Sequence, residues 1–299
     1  MRISSRQIVD NVLINLHRNY ARLDRLQTHL SSGKRVMVPS DDPAGAATAT
    51  RLRAFVLENE QYLKNAQAAI GWLTATDSAL QDVVSVLHRA RELTINAARS
   101  DLPDDARVAL ANEFDQLIRH LVQVANTSHG GRYIFGGTKT DAAPYSLTEA
   151  GGYVQTVTFN GNDQEMTYEI GPGVRQAVSV SGTTVFGTTG LFNTMVTIRQ
   201  HIQQGLVNDL SGPDLAALDQ ALDHVLRMLS RVGARQNGFE LVAERLYDQE
   251  VNLKDLLSKT EDLDVAEAIM ELKMQENVYR LALASGARVI QPTLLDFLR

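Results

Sequence analysis

The sequence predicts a mainly α protein: a long antiparallel helical, coiled-coil bundle formed by both chain ends, with a small inserted β domain. Three observations predict it. Apolar residues recur at seven-residue intervals near both termini. The ends are oppositely charged: residues 1–35 hold seven Lys/Arg against two Asp/Glu, a net of +5, and residues 240–299 hold seven against twelve, a net of −5. Between Gly130 and Gly190 the helical period gives way to strand-like alternation.

The C-terminal stretch, Leu246 to Arg299, reads as one long helix with two ladders. Leu246, Leu253, Met274, Leu281 and Leu295 fall on one, and Leu256, Leu263, Met270, Ala284 and Leu298 on the other. A lone amphipathic helix leaves such a stripe in water, so a partner is required. Val9, Leu16, Leu23 and Leu30 form a matching ladder at the other end, adjoined by Val12 and Leu26 and interrupted by polar Asn19. The two ends are therefore expected to pair with each other or with copies of themselves. Val9, Leu16, Leu23, Leu30, Leu256, Leu263, Met270, Leu281 and Leu298 are the expected assembly residues. For any one of them, packing only within the chain is the plain alternative.

Taken in order, the first helix stops at Leu30-Ser31-Ser32-Gly33, where glycine supplies a C-terminal stop. Ser40-Asp41-Asp42-Pro43 opens the second. Pro43 suits the first helical position, and Asp42, held extended before it, suits the N-cap. Neighbouring aspartates point apart along a chain, so capping explains this pair better than acid–base chemistry does. Leu52, Ala66, Leu73, Leu80 and Leu87, with Val56, Leu63, Ile70 and Val84, carry the second helix to about Arg99. At 1.5 Å per residue it reaches roughly 80 Å. Ser100-Asp101-Leu102-Pro103 breaks it, and a third helix buries Val108, Ala111, Phe114, Leu117, Leu121 and Val124 before ending near Asn126 to Gly131.

In the β insert, Val154, Thr156 and Thr158 alternate on one strand and Met166, Tyr168 and Ile170 on another, with Asn160-Gly161-Asn162-Asp163 as the turn between them. Ala177 to Val180 and Thr183 to Phe186 read as further short β runs. Helical spacing returns at Leu191, Met195, Ile198, Ile202 and Leu206. After Ser211-Gly212-Pro213 it continues from Leu218 through Phe239 into the C-terminal stretch, with Gly233 and Gly238 as places of bending or close packing.

Composition excludes several classes. The chain has no cysteine, so thiol catalysis, thiolate metal sites and disulfides are out. A net charge of −6 and pI near 5.7 argue against broad nucleic-acid binding. Aromatics are 6% of the chain, with Trp72 the one tryptophan, so a compact aromatic-rich core is not expected. Met1 to Val12 lacks the apolar run of a cleaved secretory signal, and membrane insertion is not expected because no stretch reads as a membrane span.

No chemical motif assembles an active site. His-Glu-x-x-His and Gly-x-Ser-x-Gly are absent, and the seven histidines are scattered. Gly131 to Lys139 has the glycines of a phosphate loop, but Lys139 follows Thr138 instead of a glycine, and tight turns explain the glycines better. Asn126-Thr127-Ser128 fits a glycosylation triplet of the sort that arises often by chance. No enzyme activity, metal or cofactor is expected.

Leu30-Ser31-Ser32-Gly33-Lys34-Arg35 followed by Pro39-Ser40-Asp41-Asp42-Pro43-Ala44-Gly45-Ala46 resembles the N-terminal signature of the flagellin superfamily. Gly233-Ala234-Arg235-Gln236-Asn237-Gly238-Phe239-Glu240 is similar to the turn in its C-terminal half, with Arg235 and Gly238 as mild departures. The ending Val289 to Arg299 is flagellin-like too. The Met1-Arg2-Ile3-Ser4 start and Gly131-Arg132-Tyr133-Ile134-Phe135-Gly136-Gly137-Thr138-Lys139-Thr140-Asp141 resemble the hook–filament junction branch more than the filament subunits.

The resemblance implies an inner coiled domain (1–40 with 257–299), a middle long-helix bundle (41–140 with 190–256) and an outer β insert (141–189). It also implies a ring of such subunits between the first junction protein (hook-associated protein 1) and flagellin, and secretion into the bacterial flagellum by the flagellar type III apparatus with a dedicated export chaperone. A flagellin-type filament subunit is the alternative. Four heptads are marginal alone, since helix nucleation is unfavourable and each buried Leu returns only about 1.5–3 kcal/mol. Both ends are therefore expected to be loose in the isolated subunit and to order on assembly, at a cost of about 2–5 kcal/mol of the gross contact energy.

Overall fold

The computed structural model describes residues 5–188 and 190–290. Its long helices are α1 (Ser5–Ser32), α2 (Pro43–Ala97), α3 (Asp104–Ala125), α5 (Gly190–Gln204), α7 (Leu215–Glu261) and α8 (Val265–Ile290). Two short helices, α4 (Gly182–Phe186) and α6 (Val207–Asp209), and a π-helical turn at Leu210–Asp214 lie among them. The strands form three antiparallel pairs: β1 (Ser128–His129) with β2 (Arg132–Tyr133), β3 (Tyr145–Ala150) with β4 (Tyr153–Phe159), and β5 (Thr167–Gly171) with β6 (Val174–Ala177). The chain divides into two compact units: one built from the stretches up to Glu58 and from Gln249 on, the other Asn59–Asp248.

The Asn59–Asp248 unit holds the core. Ala66, Leu73, Leu80 and Leu87 of α2 are buried with Phe114, Ile118 and Leu121 of α3, Met195, Ile198 and Ile202 of α5, and Val225, Val232 and Phe239 of α7. These spacings are the 3.6-residue period that gives each helix one apolar face. The β3–β4 hairpin adds buried Val154 and Val157 from β4. A buried polar network fastens it: Asp115 Oδ1 accepts from Val154 N at 2.9 Å, and Arg199 Nη2 donates to Val154 O at 3.1 Å. Arg199 also stands 4.9 Å from the centre of the Tyr153 ring.

The structure corrects several expectations. Asn160-Gly161-Asn162-Asp163 is not a hairpin turn, because β4 pairs back with β3 and β5 forward with β6. Its polar groups are committed elsewhere: Asn160 N donates to Pro144 O, and Asn162 Oδ1 accepts from Thr138 N at 2.8 Å. The segment is a connector seated on the Gly136–Thr138 loop. Thr183 to Phe186 is helix α4, since Ser181 caps it through Thr183 N and Gly187, at φ 64°, ends it.

The few aromatics are concentrated, so an aromatic core does form. Tyr145 lies 5.0 Å from Phe192, 5.1 Å from Phe159 and 5.4 Å from Phe186, centre to centre. A low overall count says nothing about clustering. Val108 and Leu206 are exposed. Leu206 lies past the end of α5, and Val108, although one heptad before buried Asp115, lies near the start of α3 ahead of Ala111, the first of its fully buried residues. Gly233 and Gly238 continue α7 with no close neighbour at the first and only Gln176 near the second.

Candidate assembly interface

The C-terminal stretch is not one helix. α7 ends at Glu261, and α8 begins after Asp262-Leu263-Asp264, with Asp264 Oδ1 accepting from Ala266 N at 2.9 Å and Glu267 N at 3.1 Å. That break resets the helical phase, so the sequence ladders do not run on across it.

α1 and α8 pack against each other as an antiparallel pair. Val9, Val12, Leu16, Asn19, Leu23, Leu26 and Leu30 are half-buried positions of α1 that repeat every three or four residues, as the sequence predicts for a seam. The seam of α8 is Ala268, Leu272, Gln275, Tyr279, Ala282 and Gly286, all buried or half-buried at 4-3-4-3-4 spacing. Gln275 Nε2 reaches Asn19 O at 3.5 Å, and the Tyr20 and Tyr279 rings lie 6.2 Å apart. At Gly286 the helices come so close that a Cβ would stand 2.9 Å from Val12 Cγ1. Only Leu272 and Tyr279 on this face are large, and neither falls on the two seven-residue ladders, so glycine, alanine and glutamine hide it from a hydrophobic pattern. The signal it carried is the recurrence of small residues, Ala268, Ala282 and Gly286, at whole numbers of heptad steps or helical turns.

The sequence ladders mark a second face. Met270 is 67% exposed and Leu281 70%, with Met274 and Val278 exposed between them. At 100° per residue, Met270, Met274, Val278 and Leu281 lie roughly 80–160° around α8 from the seam. Of the expected assembly residues, Val9, Leu16, Leu23 and Leu30 therefore stand in the α1 seam, Leu263 is half-buried in the link, and Met270 and Leu281 face solvent. Leu256 is exposed on α7. Leu298 lies outside the described residues.

The two helix breaks sit side by side. Leu263 N donates to Gly33 O at 3.0 Å, and Arg35 N to Glu261 O at 2.7 Å. Glu261, buried, accepts from Lys34 Nζ at 2.6 Å and pairs with Arg53. Gly33 makes its turn at φ 69°, a conformation open to glycine. Pro43 is the first residue of α2, and Asp42 Oδ1 accepts from Gly45 N at 2.9 Å. Asp41 Oδ2 accepts from Val38 N at 3.1 Å, and this hydrogen bond foremost holds its carboxyl below the ordinary range. Opposite charge at the chain ends thus meets at Glu261, and Arg22, Arg25 and Glu271 also line one groove between α1 and α8.

Among the described residues no cluster of three or more His, Asp or Glu is placed to hold a metal ion. No described helix is long and apolar enough to cross a membrane. The glycine-rich loop packs on its own chain: Gly137, at φ 69°, lies hard against Asn162.

The model of the bacterial flagellin N-terminal helical region matches residues 3–140, and that of the C-terminal helical region matches residues 215–298. The chain belongs to the flagellin family. The flanking helices of this family member are thus the matched part, and the β3–β4 and β5–β6 hairpins lie between the two matches. Flagellar hook-associated protein 3 of Salmonella typhimurium is 30% identical over 189 residues, which are 63% of this chain and 57% of that protein. Flagellar hook-associated protein 3 of Escherichia coli is 25% identical over 94% of this chain and 95% of its own length. The crystal structure of Bacillus cereus FlgL superposes with a TM-score of 0.58 at 27% identity, covering 70% of this chain and 99% of that one.

Proposed function

We propose that this chain is a structural subunit of the bacterial flagellum, the adaptor at the hook–filament junction on which flagellin polymerises. The observation that carries the proposal is the two-faced α8: one face is used against α1, and a second apolar stripe, Met270 to Leu281, is left in solvent. A stripe of that length on a helix already paired inside its own chain is the surface a neighbouring subunit covers. The likeness to hook-associated protein 3 along nearly the whole chain supports placing that surface at the junction.

In this reading the α1–α8 pair is the inner assembly element, the long α2, α3, α5 and α7 helices form the middle, and the hairpins face outward. Subunits close into a ring between the first junction protein, hook-associated protein 1, and flagellin. They reach it by type III export with a dedicated chaperone, and the terminal helices order fully on assembly. Ordering those helices only at the growing end restrains premature polymerisation.

Deleting the gene tests the reading. Cells that keep hooks, lack filaments and lose flagellin to the medium support it, and reintroducing the gene restores filaments. The alternative, a flagellin-type filament subunit, rests on the family models themselves. It predicts that the purified protein grows long filaments alone and that deletion leaves no secreted flagellin pool.

A further inference from the structure

Two of the seven methionines, Met270 and Met274, sit one turn apart on the outward stripe of α8, 67% and 62% exposed. By contrast Met195 and Met228 are buried in the core, and Met166 is half-buried beside Arg132. Met37 is exposed in the loop before α2, where its sulfur accepts a hydrogen bond from Ser32 Oγ at 3.2 Å. Among the described residues, the methionines most open to solvent are thus on the surface assigned to assembly. Unbranched, polarizable methionine adapts to a partner's contour, which suits it to such a surface.

We propose that Met270 and Met274 form an oxidation-sensitive site that controls whether the subunit assembles. The inference rests on the assembly role of the outward stripe. The oxidant is a peroxide: the thioether sulfur attacks one oxygen of hydrogen peroxide, the O–O bond breaks, sulfur loses two electrons, and the products are a sulfoxide and water. A sulfoxide carries a strong dipole and an acceptor oxygen. It costs little on a helix surface in water, but in an apolar interface that oxygen has no donor.

Three features make the site state-dependent. Both side chains are reachable in the free subunit. Both are covered once a neighbour packs on the stripe, so the assembled form is protected. Neither is one of the buried or half-buried α8 positions of the seam: Met270 faces solvent, and Met274, at the rim of the groove lined by Arg22, Arg25 and Glu271, keeps 62% of its surface exposed, so a sulfoxide oxygen at either site stays in water in the free subunit. An unassembled subunit that meets peroxide is thereby barred from the structure, while one already in place is spared.

The experiment treats the purified full-length protein with hydrogen peroxide, maps sulfoxides by peptide mass spectrometry, and measures how well the subunit caps isolated hooks and seeds flagellin. Met270 and Met274 are expected to oxidise well before Met195 and Met228, with an unchanged far-ultraviolet circular dichroism spectrum. Seeding should fall about tenfold or more when both are oxidised. Treatment with both methionine sulfoxide reductases, one for each sulfoxide epimer, and a thiol reductant should restore it, and a Met270→Leu/Met274→Leu variant, which keeps Met37, should seed normally with or without peroxide.

Normal seeding by doubly oxidised protein overturns the inference, as does peroxide inhibition that persists in the double leucine variant. A separate arm isolates the reading beneath it, using unoxidised Leu281→Arg. If that variant seeds normally, the stripe is not the assembly face. If it fails to seed while oxidised wild type succeeds, only the redox inference falls.

Discussion

Lys34 Nζ stands 2.6 Å from the Glu261 carboxylate, joining two residues 227 positions apart at the point where α1 stops and α7 gives way to α8. The carboxylate is buried, whereas its cationic partners Lys34 and Arg53 are about half exposed. Removing it therefore loses two charge-assisted hydrogen bonds that solvent already weakens. Glu261→Ala is expected to cost about 1–2 kcal/mol. Hydrogen exchange should accelerate at the Arg35 and Leu263 amides, which bridge the same joint; unchanged protection there would show that the backbone bridge holds without the carboxylate.

Gly286 is where a side chain on α8 would meet α1 most closely. Any such side chain must displace Val12, so Gly286→Leu should force the helices apart even though leucine favours the helix by about 1 kcal/mol over glycine. The expected outcome is faster exchange along α1 with α7 unaffected. A Gly33→Ala change acts differently: nothing crowds Gly33, so its cost is the left-handed backbone alone, about 1–2 kcal/mol.

The two faces of α8 should separate by mutation. Leu281→Arg leaves the melting temperature within the range of a surface change, about 0.5 kcal/mol, and abolishes assembly. Leu272→Arg puts a charge into the α1 seam and lowers stability by about 1–3 kcal/mol before assembly is reached. Equal thermal effects from the two changes would mean that the faces are not distinct.

Terminal helices and core helices should differ in protection. Among the described residues of α1 none is fully buried, whereas Leu73, Leu80 and Leu87 of α2 are. Exchange in the soluble subunit is therefore expected to be fast at Leu16 and Leu281 and slow at Leu80. Strong protection at the first two would argue that the ends are already rigid before assembly.

The Asp163 carboxylate is held below the ordinary 3.8 first by its hydrogen bond from Thr183 and then by one from Ser181. These bonds favour the charged form, so their stabilisation is full above the unfolded value and is lost as pH falls through the lower folded value. A side-chain titration should give a midpoint under 3.8, and Thr183→Val should move it back up. Because the carboxyl is exposed, the stability change is small, and the midpoint is the better readout.

Much of this was legible before the fold was known. The α1 ladder, the glycine stop at Gly33, the Asp42-Pro43 start of α2 and the apolar faces of α2, α5 and α7 are local: each depends on spacing or on one residue's backbone preference. The hairpin pairing was not. Val154 and Ile170 alternate as strands should, yet neither alternation nor the Asn160-Gly161 dipeptide states which neighbour a strand bonds. The pairs close instead over the two-residue turns Gly151-Gly152 and Pro172-Gly173, whose glycines adopt positive φ, while the Asn162 side chain is engaged with Thr138. The aromatic cluster around Tyr145 was equally hidden, because its members come from residues far apart in sequence and meet only when β3, α4 and α5 are packed.

By itself the sequence determined that this chain has two heptad-striped ends of opposite charge around a helical middle and a β insert, because period and charge are properties of a segment alone. Only the tertiary structure decided which stripe of α8 is used inside the subunit. The face of Met270 and Leu281 looks the better seam on hydrophobicity, but α1 packs against a mixed face on which Leu272 and Tyr279 alternate with Ala268, Gln275, Ala282 and Gly286. Close approach of two backbones needs small side chains at the contact, and the break at Asp262–Asp264 sets the phase with which α8 meets its partner. Met270, Met274, Val278 and Leu281 are thereby left in solvent.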